Sequence, residues 1–155
     1  MLTPKTRDLP LEVSEPTLYS SMIAQANFHM ATNHVSNRLL HNTPPTVGES
    51  LILNGVLESW SHTLPSYFRL NQPSASSEYS YTYGRCRLWW RYWNMQIILF
   101  RPILLRATAE MVENEEVEIA KARDICIHSA HSTIHSVDDF IRNNHVTKLA
   151  SWYSL

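Results

Sequence analysis

The stretch Leu88–Pro102, LWWRYWNMQIILFRP, constrains the fold more than any other part of the chain. At about 100° per residue, Leu88, Tyr92, Met95 and Leu99 form one stripe of a helix. Trp89, Trp93, Gln96 and Phe100 form a second stripe beside it, and Ile97 lies further round. Only the narrow sector holding Arg87, Arg91 and Asn94 is polar. A helix that is apolar over most of its circumference is one surrounded by other helices. The run from Tyr92 to Phe100 is interrupted by Asn94 and Gln96 and is far shorter than the ~20 apolar residues a bilayer span requires. The sequence therefore predicts a buried central helix and no membrane partner.

The rest of the chain supports an all-α reading. Strict apolar/polar alternation is scarce, and glycine occurs only at Gly48, Gly55 and Gly84 among 155 residues. A chain of this length can bury about 68–70% of its unfolded surface, enough for a real core. Charged residues make up 17% and hydrophobic residues 44%, which suits a folded rather than a disordered chain. The formal charge of −1 supplies no overall basic field for nucleic acid. Cys86 and Cys126 are the only cysteines and stand far apart, which argues against a disulfide framework and suits a reducing compartment. The start, MLTPKTRDLP, lacks the apolar core of a secretory signal.

Residues 1–15 read as an extended lead-in. Pro16 then suits the first turn of a helix running to about Leu40. Its predicted inward face holds Leu18, Met22, Ile23, Ala26 and Met30, with His29, Asn33 and Asn37 close by. Pro44-Pro45 breaks the chain. Thr46 with Glu49 three residues later has the spacing of a capping box, in which side chains of both residues satisfy free backbone N–H groups. Leu53, Val56, Leu57, Trp60 and Leu64 follow at helical spacing, and Pro65 ends the helix by forcing Leu64 out of the α region. Residues 69–83, rich in serine and polar side chains, read as an exposed loop. Arg101-Pro102 is predicted to kink or break the central helix, with ILLRATAE continuing as a short helical piece. From Glu113 to Arg142, Ile119, Ala122, Cys126, Ala130, Thr133, Val137, Phe140 and Ile141 make one apolar face. After Asn143-Asn144, Val146, Leu149 and Trp152 begin a further helical phase. The chain ends inside that pattern, which reads as a domain truncated at its C-terminus.

Few constellations carry chemistry. Five arginines lie between Arg85 and Arg106, interleaved with aromatics. The helical wheel separates the tryptophans from the arginine strip, so the tryptophans read as core and the arginines as helix-edge charges rather than a nucleic-acid platform. His128, His131 and His135 align on the side opposite the apolar face, beside Asp124 and Asp139. No His-Glu-x-x-His arrangement or cysteine pair accompanies them, so they read as a solvated stripe. Asp138-Asp139 is weakly similar to the aspartate-rich magnesium motif of α-helical terpenoid synthases, but Arg142 and Asn143 stand where a further acid belongs. Serine-nucleophile elbows, phosphate loops and dinucleotide fingerprints are absent. No catalytic or metal-binding residue is assigned and no enzyme is expected. His29, Asn33 and Asn37 are expected to form a hydrogen-bond network between helices, or alternatively one polar wall of a small-molecule pocket.

Taken together, four segments resemble the fungal-specific transcription factor domain, the middle homology region of zinc-cluster factors, in its galactose-regulator-like branch. These are LPLEVSEPTLYSSMIAQANFHMATNHVSNRLL, WSHTLPSYF, LWWRYWNMQIILFRPILL and DICIHSAHSTIHSV. The residues carrying the pattern are Trp60, Pro65, Trp93, Arg101, Pro102 and Cys126. The resemblance implies a helical regulatory region in the nucleus, controlling RNA polymerase II transcription through a small metabolite or co-regulator proteins. It also implies an upstream cluster of six cysteines that holds two zinc ions and reads DNA. Two isolated cysteines cannot build that cluster, so DNA contact belongs to a module outside this chain. The rival reading is a helical protein-interaction module with neither ligand nor DNA.

Overall fold

The computed structural model describes residues 16–17, 19–70, 72, 78–107 and 116–144. Four α-helices account for most of them: α1 (Ser20–Leu39), α2 (Val47–Thr63), α3 (Tyr79–Ala107) and α4 (Glu116–Asn143). One 3₁₀ turn, Ser66–Phe68, follows α2. The described residues are thus all-helical apart from their connections. The lead-in 1–15 and the phase begun by Val146, Leu149 and Trp152 lie outside them.

α3 is the centre of the assembly. It pairs most extensively with α4 and also packs on α1 and α2. Leu88, Trp89, Trp90, Tyr92, Trp93, Leu99, Phe100 and Ile103 are all buried along it. Asn94, Ile98 and Arg101 form its exposed side. Indole N–H groups buried this deeply need acceptors. Trp89 donates to the Phe68 carbonyl at 2.8 Å, and Trp90 donates to Ser136 Oγ at 3.0 Å.

Two expectations about α3 are corrected. It begins at Tyr79, so residues 79–83 of the predicted loop are helical. Tyrosine packing decides this: Tyr81 stacks on Phe68 at 5.8 Å and donates its hydroxyl to the Tyr67 carbonyl, while Tyr79 and Tyr83 both pack on Phe140. At the other end, the predicted break at Arg101-Pro102 does not occur: α3 continues through Pro102 to Ala107. Proline removes the bond to the Ile98 carbonyl, but Ile98 is half-exposed, where water can replace the lost donor. Leu99, Phe100 and Ile103, buried on both sides of the proline, hold the helix to the core.

α2 starts as predicted. Thr46 Oγ1 accepts from the Glu49 N–H at 3.2 Å, and Glu49 Oε2 accepts from the Thr46 N–H at 2.9 Å. The same carboxylate takes Arg38 Nη2 at 2.8 Å, tying the end of α1 to the start of α2. Leu64 adopts extended backbone before half-buried Pro65 and closes the helix.

α1 is rotated from its predicted setting. Its buried residues are Ser20, Ala24, Phe28, Thr32 and Val35. Met22 and Met30 are 64% and 68% exposed, and Ala26 also faces out. Leu18 lies outside the described residues. Phe28 sets the rotation by placing its ring edge-on to Trp60 at 4.7 Å. Small Ala24 and hydroxyl-bearing Ser20 and Thr32 complete a face that permits close approach. A Cβ at Gly84 would stand 2.8 Å from Ser21 Cβ, so α1 and α3 meet nearly backbone to backbone there.

On α4, Ala122, Cys126 and Phe140 are buried, with Ile119, Ala130, Thr133 and Val137 partly so. Ile141 departs from the predicted face and is 55% exposed.

Candidate functional site

His29, Asn33 and Asn37 do not form the predicted network. All three are exposed, because the Phe28 rotation turns their side of α1 outward. His29 Nε2 instead lies 2.8 Å from Arg91 Nη1 on α3. Gln25, with its amide oxygen turned toward the guanidinium, accepts from Arg91 Nη2 at 3.0 Å. Burial, followed by the neighbouring Arg87 charge, pulls the Arg91 pKa down from its ordinary value.

The buried polar network lies elsewhere. Gln96 of α3 donates to Asn54 Oδ1 of α2 at 2.9 Å and to the Tyr92 hydroxyl at 3.2 Å. Ser129 of α4 reaches Gln96 Oε1 at 2.8 Å. Asn54 also donates to Glu58 Oε1 at 2.8 Å. The bonds among Asn54, Gln96 and Ser129 join three helices through side chains that are 3%, 5% and 0% exposed.

An open groove of about 720 Å³ runs along α3 and α4. Thr82, Cys86, Trp93 and Phe140 contribute its inner wall, and Leu70 stands at its edge. The α4 side carries His128, His131, Ser132, His135, Ser136 and Asp139, ending at Asn143 and Asn144. Among the described residues no lysine or arginine lines it. Arg85 lies nearby, but its guanidinium donates to the Gln72 carbonyl at 2.7 Å and to the Arg69 carbonyl, which ties those two residues to the start of α3.

Within the groove, His135 Nδ1 lies 3.3 Å from Asp139 Oδ2, and His128 Nε2 lies 3.4 Å from Ser132 Oγ. Asp138 pairs with Arg142 at 2.8 Å rather than facing its neighbour Asp139 in a shared acidic site. Burial pushes the Cys86 thiol up from its ordinary value, against smaller opposing effects from Arg85 and Ser136. Burial raises Cys126 as well. Neither thiol has the environment of an activated nucleophile.

The residues singled out by the resemblance have structural positions. Trp60 is buried between Phe28 and Tyr92, and Trp93 and Cys126 belong to the same core. Arg101 is exposed, and Pro102 is half-buried inside α3. The sequence reading missed the groove itself. Its only signal was the histidine row with Ser132 and Ser136 interleaved, and nothing in that row shows that α3 and the Leu70 turn enclose it. No described helix is long and apolar enough to cross a membrane. Comparison with protein-family profiles, curated proteins and solved structures found no match.

Proposed function

We propose that this chain is part of the middle regulatory region of a fungal zinc-cluster transcription factor. It acts in the nucleus on RNA polymerase II transcription by shifting between two conformations, biased by a small metabolite or a co-regulator protein. DNA contact and the two zinc ions belong to an upstream six-cysteine module. One observation carries the reading: Trp60, Trp93 and Cys126, drawn from three separate segments of the resemblance, share one core. The open groove beside that core is the place where a ligand would bias the packing of α3 against α4.

The test is to tether the chain to a heterologous DNA-binding module upstream of a reporter gene. Reporter output should change several-fold, with the fusion found in the nucleus, and Trp93→Ala should abolish the effect. A stable nuclear fusion that leaves the reporter unchanged would overturn the proposal.

A specific feature favours the rival interaction module. Ile127, Ile134 and Ile141 of α4 are 46%, 70% and 55% exposed and recur on one flank. Such a stripe is suited to a partner helix. Ile134→Asp that loses co-regulator capture, in a chain with no ligand response, would favour that reading.

A further inference from the structure

We propose that His131 and His135 form a surface chelate for a borderline divalent transition-metal ion such as Zn²⁺, with Asp139 orienting His135. The two histidines stand at i and i+4 of α4, so their side chains lie one turn apart on the same side. Imidazole nitrogen is a suitable ligand for zinc, copper and nickel. Both residues sit well inside a helix that runs from Glu116 to Asn143, so their spacing is set by regular backbone rather than by a loop.

The contact to Asp139 distinguishes this pair from others in the row. Asp139 Oδ2 lies 3.3 Å from His135 Nδ1. A carboxylate there favours the tautomer with its proton on Nδ1, which leaves the Nε2 lone pair for a metal. Asp139 is available for this because the cation beside it, Arg142, is held by Asp138 at 2.8 Å. The alternative pair, His128 and His131, is less favoured because His128 Nε2 already contacts Ser132 Oγ at 3.4 Å. His135 and Asp139 have side chains 79% and 61% exposed, so the site is open to ions from solution. Among the described residues no group of three or more His, Cys, Asp or Glu is placed to hold a metal. The chelate therefore has two protein ligands, and water or a donor atom of a molecule in the groove takes the remaining positions.

This inference is independent of the transcription-factor reading. The test is calorimetric titration of the whole chain with zinc chloride at neutral pH, with circular dichroism to confirm that each variant keeps its helices. Wild type should show saturable one-to-one binding. His131→Ala and His135→Ala should each abolish it, His128→Ala should leave it intact, and Asp139→Asn should weaken it by about 10-fold or more. Absence of saturation at millimolar zinc would overturn the proposal. So would equal binding by wild type and His131→Ala, or loss on His128→Ala with His135→Ala unaffected.

Discussion

The Ser129 hydroxyl lies 2.8 Å from Gln96 Oε1 and 2.8 Å from the Ile125 carbonyl, so its one hydrogen is shared between two acceptors. Gln96 in turn serves Asn54 and Tyr92. Gln96→Leu would leave Asn54 Oδ1 without its donor in a buried position. Each polar group stranded in this way costs about 1–3 kcal/mol. Denaturant melts should show Gln96→Leu less stable by that order. A double-mutant cycle with Ser129→Ala should show coupling of about 0.5–3 kcal/mol. Additive losses would mean that the contact carries no energy.

Trp93 is 6% exposed and packs on Trp89 at 5.9 Å. Trp93→Ala should cost about 3–5 kcal/mol as a large-to-small core truncation. Chemical denaturation at neutral pH measures this directly, and unchanged stability would contradict the buried position.

Gly84→Ala should destabilise the chain by about 1–3 kcal/mol, since the added methyl overpacks a tight crossing. The obstacle is Ser21 Cβ, which cannot swing aside as a long side chain would. Ser21→Ala should not rescue Gly84→Ala, because it retains that Cβ. A thermal melt of the two variants, singly and together, separates this clash from a simple change in helix propensity, which would stabilise.

Glu49 has its pKa lowered, first by the Thr46 backbone N–H and then by Arg38. A depressed carboxylate contributes stability that is present above its unfolded pKa and is lost as pH falls through the lower folded value. Wild type should therefore lose more thermal stability than Glu49→Gln as pH falls through the carboxylate range. Parallel pH–melting curves for the two proteins would refute the linkage.

Both thiols are raised by burial, so little thiolate is present at neutral pH. Cys86 and Cys126 should react with a thiol reagent much more slowly in the folded chain than after denaturation. Rapid labelling of Cys126 under native conditions would place it outside the core.

The elements legible in the sequence were those specified locally. Thr46 and Glu49 encode the start of α2, Pro65 its end, and the spacing of Leu88, Tyr92 and Leu99 the burial of α3. What failed depended on partners distant in sequence. The rotation of α1 follows from Phe28 meeting Trp60, and nothing within α1 says that a single ring outweighs Met22 and Met30. The serine-rich start of α3 resembles a loop until Phe68 and Phe140 are placed against its tyrosines. The polar network was expected on α1, whereas its members are spread over three other helices, and no single-helix periodicity reveals that meeting. The groove depends on α3, α4 and the Leu70 turn together.

The passage of α3 through Pro102 makes Tyr79–Ala107 one unbroken helix. Its 29 residues, at about 1.5 Å each, span roughly 43 Å. Thr82 and Cys86, which face the groove, lie near one end, while Ile103 is anchored in the core toward the other. Residues that face the groove and a residue anchored deep in the core therefore belong to one continuous helix, with no break at the proline between them.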